Sequence, residues 1–248
     1  RGDGELRRRF RLEARAIEMA PDRRRMAQHR DCTIQRRQQK LIEETPSPFI
    51  NDEIRIKMTE TAEKVAHSIN YLNGGTIEFI VDKDFNFYFM EMNTRVQVEH
   101  TVSEMLTNHD SIKEMINIAG GGRISLKKPR FTGHAMECRI NAEDVENNFR
   151  PSPGLLTTFH SPDGFGVRVD THCYPGYTIT SYYDSLIAKL IVHAENREES
   201  IKRMSRALDE FIVEGVKTTI PLFQQIMIDK NFIEHNYDTT YLDKKEKK

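Results

Sequence analysis

Two acidic residues, Glu78 and Glu91, stand in stretches that predict neighbouring strands, TIEFIV (76–81) and FYFMEMN (87–93). The four residues between Asp82 and Phe87 predict a hairpin loop. If Asp82 lies opposite Phe87, then Glu78 lies opposite Glu91, with Cβ atoms about 5 Å apart. Because facing like charges destabilise a sheet, the pair indicates a shared proton or a cation bound between the carboxylates.

The residue types around this pair indicate which cation it would hold. Asn93 lies two residues beyond Glu91 and adds a neutral oxygen, while neither His nor Cys stands near the pair in the sequence. Carboxylate and amide oxygens are hard ligands, so the set favours Mg²⁺ or Mn²⁺ over Zn²⁺.

A row of alternating polar residues continues from the second strand. In an extended segment alternate side chains share one face, so the row predicts a polar surface formed by Glu91, Asn93, Arg95, Gln97 and Glu99. The apolar residues 87–90 predict a strand that is covered on both faces. The alternative is that the row is the wet face of an edge strand.

Composition limits the classes of protein to consider. The 248 residues are enough for one large domain or two modest ones, and 37 basic residues nearly balance 38 acidic ones, so no general affinity for nucleic acid or membrane is indicated. Three cysteines without a C-x-x-C pair favour a reducing compartment, the cytoplasm or, in a eukaryote, the mitochondrial matrix or plastid. We therefore expect no signal peptide, and no apolar run in the sequence approaches the ~20 residues of a membrane span. Because the sequence starts Arg-Gly-Asp-Gly, we expect a piece of a longer chain.

Residues 1–40 are rich in arginine, and their first part predicts one or two helices. A basic helix could bind nucleic acid, but interspersed acids such as Glu13 and Glu18 favour a solvated face or one that a partner segment covers. Residues 30–48 predict an extended stretch that ends in a Pro-rich turn. Within it, Lys40 is either a phosphate contact or a side chain that snorkels from an apolar strand.

Helix signals flank these strands. Asn51 or Asp52 caps a helix whose apolar residues recur at helical spacing. A second helix starts near Asp110 and is followed by three glycines, residues 120–122. Since these glycines follow a helix, they predict a C-terminal stop and not a phosphate loop.

Beyond residues 127–129 the pattern changes to short strands, which predicts a domain boundary there. Strands are predicted at 134–142, 155–160, 166–169 and 186–193, then a helix capped by Asn196 and another with Pro221 in its first turn. Arg139 lies within the first of these strands. By itself it indicates either a functional cation or an ion pair with Glu137 or Glu143.

Several motifs together resemble those of the biotin carboxylase family, which serves acetyl-CoA, propionyl-CoA and pyruvate carboxylases. They run in order from about residue 30 to 242 and read HRDCTIQRRQQK, EETPSP, TIEF, EMNTRVQVEH, GHAMECRINAED, PSPGLLTTFHSPDGFGVRVD, YYDSLIAKLIV and EGVKTT. The resemblance implies an α+β fold, with part of an ATP-grasp domain (an antiparallel sheet with flanking helices) before the biotin carboxylase C-terminal domain. It implies an incomplete, divergent amino-terminal part at 1–40, the ATP-grasp C-terminal lobe with the hairpin at 41–128, and the C-terminal domain at 129–248.

The resemblance also implies a reaction. ATP phosphorylates bicarbonate, and the carboxyphosphate formed releases CO₂, which N1 of carrier-linked biotin attacks. By the same resemblance, Glu78 and Glu91 hold Mg²⁺ or Mn²⁺ at the nucleotide phosphates, with Asn93 beside them. Lys40 and Gln35 would face those phosphates, and Gln38 the ribose.

The remaining roles concern bicarbonate and biotin. Arg95 would bind bicarbonate together with Gln97 and the backbone at Val98, and Glu99 would be the base that deprotonates it. An arginine beside Glu99 would keep that base ionised. Arg139 would stabilise the enolate-like oxygen of the biotin ring.

The sequence also departs from the family. We expect the amino-terminal domain with its Gly-rich phosphate lid to be missing, and the stretch before residue 29 to be too short for the family's adenine-side strands. A non-catalytic descendant that serves dimerisation or regulation is therefore an alternative. The expected partners are a biotin carboxyl carrier protein, a carboxyltransferase component and a second copy bound through Phe165 and Arg168.

Overall fold

The computed structural model describes residues 10–18, 25–124 and 130–246. The boundary predicted at residues 127–129 lies outside the described residues. The described chain forms two compact units, one of residues up to Thr132 together with those from Tyr237 onward, the other Gly133–Asn236. None of the helices in the described ranges is long and apolar enough to cross a membrane.

The first unit is built on an antiparallel sheet. Its strands are β1 (Phe10–Glu18), β2 (Arg25–Arg36), β3 (Gln39–Thr45), β4 (Asn73–Gly74), β5 (Thr76–Val81) and β6 (Phe87–Asn93). Within this unit the strand order is β3-β2-β1-β5-β6, with β4 beside β1. The strands β5 and β6 that carry the two acids are therefore neighbours, as predicted.

Three helices accompany these strands: α1 (Asp52–Ser68), α2 (His100–Thr107) and α3 (Ser111–Ala119). The predicted cap of α1 is confirmed, because Asn51 Oδ1 accepts a hydrogen bond from the backbone N–H of Ile54 at 2.9 Å. The apolar stripe of α1 packs on β5, where Ile77, Phe79 and Val81 complete a buried core. Asp110 caps α3 and Gly120 ends it, so the triple glycine is a helix stop.

The second unit contains β7 (His134–Asn141), β8 (Glu143–Asp144), β9 (Arg150–Pro151), β10 (Gly154–Leu155), β11 (Thr158–His160), β12 (Val167–Thr171), β13 (Thr178–Ile179), β14 (Leu186–Ala194), α4 (Arg197–Glu210), β15 (Ile212–Glu214), α5 (Ile220–Met227) and α6 (Lys230–Ile233). β14 pairs with both β7 and β12. The cap at Asn196 and Pro221 in the first turn of α5 are confirmed. The short helix α7 (Tyr241–Glu246) belongs to the first unit.

The prediction of helices in the arginine-rich segment is wrong. Its described residues form β1 and β2, which pair antiparallel. In residues 10–16 apolar and charged residues alternate, a period of two that is typical of a strand. The Ala, Arg and Glu content favours a helix by propensity alone, and the alternation prevails. The basic helix on which the nucleic-acid hypothesis depended is absent from these described residues.

The hairpin of β5 and β6 reaches the predicted pairing by another route. Val81 lies opposite Phe87, so the expected pairing of Asp82 with Phe87 is wrong by one residue. A β-bulge at Met90 inserts an extra residue into β6 and brings Glu78 opposite Glu91. The facing acids are confirmed.

The environment of β6 differs from the prediction. β6 ends the order of the described strands, and Tyr88 and Phe89 are 57% and 54% exposed. The expectation that residues 87–90 are covered on both faces is therefore wrong. A strand at the edge of a sheet has a neighbour on one side only, which leaves its side chains more open than those of a central strand.

Candidate active site

The polar row from Glu91 to Glu99 does not stay on one extended face. β6 ends at Asn93, and residues 94–99 form a loop that leads into α2. Arg95 stays exposed, whereas Gln97 and Glu99 are buried. The expected single face is therefore wrong beyond Asn93, and the loop instead carries Gln97 and Glu99 inward.

Glu78 is the centre of the polar cluster. Its side chain is fully buried, and its Oε1 accepts hydrogen bonds from three side chains. The donors are Lys40 Nζ at 3.1 Å, Asn93 Nδ2 at 3.1 Å and Gln97 Nε2 at 2.8 Å. Strands β3, β5 and β6 and the following loop thus meet at one carboxylate oxygen.

Asn93 joins the two facing acids. Its Nδ2 donates to Glu91 Oε1 as well as to Glu78 Oε1, each at 3.1 Å. Both carboxylates therefore point to the same side of the hairpin. A cation near the Nδ2 position would contact an oxygen of each acid.

These residues fit a divalent ion that is held jointly with a nucleotide. In the described ranges no group of three or more His, Cys, Asp or Glu side chains is arranged to hold a metal. Mg²⁺ typically uses one or two carboxylates and takes its other ligands from phosphates and water. Glu78 and Glu91 supply the two carboxylates. A turn of the Asn93 amide would add a carbonyl oxygen.

Glu99 lies beside two cations, neither of which is Arg95. Its Oε1 is 2.7 Å from Lys40 Nζ and 3.9 Å from Arg30 Nη2. Arg95 instead donates to Asn93 Oδ1 at 3.2 Å and to the backbone carbonyl of Val96 at 3.2 Å. An arginine does lie beside Glu99, as expected, but it is Arg30 and not Arg95, and Lys40 lies closer than Arg30.

Arg30 is a site residue that sequence reasoning missed. Its side chain is fully buried, and Nη2 donates to Gln97 Oε1 at 2.8 Å and to Thr76 Oγ1 at 3.2 Å. This contact orients the Gln97 amide so that its nitrogen faces Glu78. The sequence did hold one signal, an arginine at even spacing with Cys32 and Ile34 in a strand, which places a cation on an apolar face.

The residues assigned to the nucleotide lie on the β2–β3 hairpin. Gln35 pairs with Lys40, and Arg37 and Gln38 form the two-residue turn with positive φ values of 48° and 69°. A turn of this kind usually contains Asn or Gly, which is why the sequence did not predict it. Gln38 is exposed at the tip, whereas Lys40 is buried.

Arg139 lies in the second unit. It occupies β7 in register with Lys189 of β14, and its backbone carbonyl accepts a hydrogen bond from Thr219 Oγ1 at 3.0 Å. Phe165 of the same unit is 92% exposed. Arg168 is held by a neighbour, since its Nε is 2.7 Å from Asp170 Oδ1.

Burial shifts the pKa values of side chains on β2. Burial, with a smaller contribution from Arg55, lowers the pKa of His29 to about 3. Burial and the facing Glu44 carboxylate raise the pKa of Asp31 to about 6. Burial also raises the pKa of the Cys32 thiol, so this cysteine is protonated at neutral pH and does not act as a thiolate.

Two parts of the chain match known domain families. Residues 137–244 match the biotin carboxylase C-terminal domain, and residues 11–127 match the ATP-binding domain of the carbamoyl-phosphate synthase L chain.

Similar proteins span more residues than this chain. Biotin carboxylase 1 of Bacillus subtilis is 51% identical over 217 residues, which cover 86% of this chain and 48% of that protein. The chloroplastic biotin carboxylase 1 of Populus trichocarpa is 49% identical over 220 residues, 88% of this chain and 42% of that protein. The chain thus spans about half the length of the curated relatives it matches.

Solved structures agree with these matches. The biotin carboxylase domain of a thermophilic 2-oxoglutarate carboxylase, solved with bicarbonate, matches with a TM-score of 0.92 at 44% identity, over 96% of this chain and 54% of that chain. The corresponding domain dimer from Hydrogenobacter thermophilus, solved with MgADP, ADP and bicarbonate, matches with a TM-score of 0.92 at 45% identity, over 95% and 52%. The two matched domains, the identities and the fold together show that this chain is similar to biotin carboxylases over about half of their length.

Proposed function

We propose that this chain carries the metal, bicarbonate and biotin residues of a biotin carboxylase and acts in the ATP-dependent carboxylation of carrier-linked biotin. The main support for the proposal is the facing pair Glu78 and Glu91. Asn93 Nδ2 donates a hydrogen bond of 3.1 Å to each of these carboxylates. A second support is the buried Glu99 beside Lys40. A third support is that a structure similar to this chain was solved with MgADP, ADP and bicarbonate, the ligands that the proposed reaction requires.

Glu99 is the proposed base for bicarbonate. Lys40 at 2.7 Å stabilises its carboxylate, so Glu99 can accept the bicarbonate proton. A bicarbonate oxygen then attacks the terminal phosphorus of ATP, the bond from that phosphorus to ADP breaks, and carboxyphosphate forms. Glu99 acts on the attacking group, so its contribution belongs to the chemical step.

Nitrogen donors near Glu99 would position the anion. Gln97 keeps its Nε2 toward Glu78 because Arg30 holds its Oε1, so the amide presents N–H and not C=O. Arg95 is exposed and can turn from Asn93 toward an incoming anion. The backbone N–H of Val98 lies in the same loop and is the third proposed donor.

Glu78 and Glu91, with the carbonyl of Asn93, would hold the divalent ion. When bound, this ion neutralises the charge that builds on the phosphate oxygens during transfer. Lys40 and Gln35, on the β2–β3 hairpin, would face the phosphates, and Gln38 the ribose.

Arg139 is the proposed biotin residue. Carboxyphosphate breaks into CO₂ and phosphate, the phosphate takes the N1 proton of biotin, and N1 attacks CO₂ to give carboxybiotin. Negative charge develops on the ureido oxygen in this step, and a guanidinium group stabilises it. Arg139 lies within β7, so the backbone that carries its guanidinium group has a fixed position.

The proposed partners are a biotin carboxyl carrier protein, a carboxyltransferase component and a second copy of the chain. Phe165 is 92% exposed, and a large apolar side chain so placed suits a dimer contact that Arg168 would flank. The proposed domains are an amino-terminal part at residues 1–40, the ATP-grasp C-terminal lobe at 41–128 and the C-terminal domain at 129–248. The three buried, unlinked cysteines fit a reducing compartment such as the cytoplasm.

The test is ATP cleavage by the chain with Mg²⁺, ¹⁴C-bicarbonate and free biotin. We expect cleavage that requires bicarbonate and yields labelled carboxybiotin, and a loss of about 100-fold or more in Glu99→Gln. Glu60→Gln, on the exposed side of α1, is the matched control and should keep the rate. Cleavage that ignores bicarbonate, equal rates in Glu99→Gln, or a folded chain without cleavage would overturn the proposal; the last result would favour the non-catalytic alternative.

A further inference from the structure

We propose that Lys40 is an internal cation that occupies Glu78 until a divalent ion displaces it. The inference rests on the metal site of the proposed function and adds a competition between that ion and one lysine. Its basis is the position of the Lys40 ammonium group, which lies between two buried carboxylates.

The contacts of Lys40 show how it balances charge. Its Nζ lies 3.1 Å from Glu78 Oε1 and 2.7 Å from Glu99 Oε1. The side chains of the three residues are 8%, 0% and 2% exposed. A buried carboxylate is costly unless a cation or hydrogen bonds accompany it. Lys40 therefore stabilises Glu78 in the absence of metal.

The other two donors to Glu78 carry no charge, whereas Lys40 does. Gln97 is a neutral amide whose orientation Arg30 fixes. Asn93 is a neutral amide that can turn and present an oxygen in place of its nitrogen. A lysine ammonium has three donors and no acceptor. Next to a divalent ion on the same oxygen it would also meet direct charge repulsion. The ion and Lys40 thus exclude each other at Glu78 Oε1.

Glu99 gives the displaced lysine a place to remain. The contact with Glu99 is the shorter of the two, and the flexible four-carbon stem lets the ammonium group move while it keeps one partner. Metal binding then releases one side of Lys40, which becomes available to the anion that arrives with the metal. By linkage, Lys40 must lower metal affinity as much as metal weakens its contact with Glu78.

Mn²⁺ binding without nucleotide, followed by the electron paramagnetic resonance signal of free Mn²⁺, tests the competition. We expect Lys40→Met to bind Mn²⁺ at least about fivefold more tightly than the native chain. Because Lys40→Met leaves buried acids without their cation, the double variant Lys40→Met/Glu99→Gln removes one charge of each sign and should show the same gain. Lys189→Met is the matched control, since Lys189 is 13% exposed and lies 3.3 Å from Asp170 in the other unit; its Mn²⁺ affinity should equal that of the native chain.

A second readout uses stability. Mg²⁺ should raise the melting temperature of Lys40→Met by more than it raises that of the native chain, because the ion replaces the missing ammonium group. Equal or weaker Mn²⁺ binding by the folded double variant overturns the inference.

Glu91→Gln separates this failure from a failure of the proposed function. If Glu91→Gln weakens Mn²⁺ binding while the lysine variants bind no more tightly, the metal site stands and the competition is wrong. If the native chain binds no Mn²⁺, or Glu91→Gln binds it equally well, both the metal site and the competition are wrong.

Discussion

Two pairs of acidic residues face each other across strands of the first unit, and their neighbours satisfy them in different ways. Asp31 faces Glu44 across β2 and β3, and Glu78 faces Glu91 across β5 and β6. Both members of the first pair are buried, whereas Glu91 is exposed. Facing carboxylates alone do not say whether a proton or a metal joins them.

Hydroxyl groups surround the first pair. Ser47 Oγ donates to Asp31 Oδ2 at 3.0 Å, and the Tyr237 hydroxyl donates to Glu44 Oε1 at 2.8 Å. Burial and the facing Glu44 raise the pKa of Asp31 to about 6. This pair is thus satisfied by side-chain hydroxyl donors, by the backbone N–H of Thr33 at 2.9 Å from Asp31 Oδ1 and, in mildly acidic solution, by a proton.

The second pair differs in that its side-chain donors are nitrogens and that solvent reaches it. Lys40, Asn93 and Gln97 all donate to Glu78 Oε1, and Glu91 opens to the surface. A metal that brings a nucleotide can reach such a pair, since its remaining ligands come from outside. The neighbours of an acid pair, more than its register, therefore decide between a proton site and a cation site.

The largest expected effect comes from removing the cation of the second pair. Lys40→Met should lower the free energy of unfolding by about 3–5 kcal/mol at neutral pH, because it leaves buried charge uncompensated. Urea unfolding measures this loss. Lys57→Met, which breaks the exposed pair with Glu53, is the control and should leave stability nearly unchanged. Equal effects of the two variants would show that the buried cluster needs no internal cation.

The next prediction concerns the Asp31–Glu44 pair and uses pH to test whether it binds a proton. In the folded chain the pKa of Asp31 is raised from 3.8 to about 6. Asp31 therefore contributes fully to the free energy of unfolding below pH 4, and this contribution is lost as the pH rises through 6. Relative to Asp31→Asn, which does not titrate, the native chain should lose about 3 kcal/mol between pH 4 and pH 7. Taking the difference removes the opposite contribution of His29, whose pKa is lowered to about 3. A stability difference that stays constant with pH would contradict the proton assignment.

The smallest of these effects tests a single hydroxyl. Tyr237→Phe removes the donor to Glu44 and should cost about 2 kcal/mol, the usual value for a hydrogen bond to a charged or buried acceptor. Tyr88→Phe is the control, because Tyr88 is 57% exposed and its hydroxyl lies 3.5 Å from Asp82. Thermal unfolding distinguishes them; equal melting temperatures would mean that the hydroxyl adds nothing at Glu44.

Local patterns predicted the parts of the site that depend on local geometry. The facing of Glu78 and Glu91 follows from two strands and a short loop, and Asn51, Asp110 and Asn196 cap helices as their residue types indicate. The predicted register was wrong, since no residue pattern indicated the bulge at Met90. Glu78 still faces Glu91 because the bulge shifts the pairing by one residue, which cancels the one-residue error in the predicted register.

Contacts between distant segments could not be predicted in the same way. Arg30 reaches Gln97 across 67 residues, and Lys40 reaches Glu99 across 59. The inward turn of residues 94–99 depends on those partners, so the period of two failed there. In β1 the alternating pattern occurs in residues with high helix propensity, so the two signals conflict. The buried acid Asp31 gave no sequence signal apart from its place in a strand.

The Mn²⁺ dissociation constants of Glu91→Gln and Glu44→Gln test most directly whether a divalent ion joins Glu78 and Glu91. Each variant removes one acid from a facing pair, and Glu91 is exposed, so its loss should not disturb folding. If a divalent ion joins Glu78 and Glu91, Glu91→Gln should bind Mn²⁺ more than about tenfold more weakly, and Glu44→Gln should bind it as the native chain does. Equal Mn²⁺ binding by all three proteins would contradict the claim.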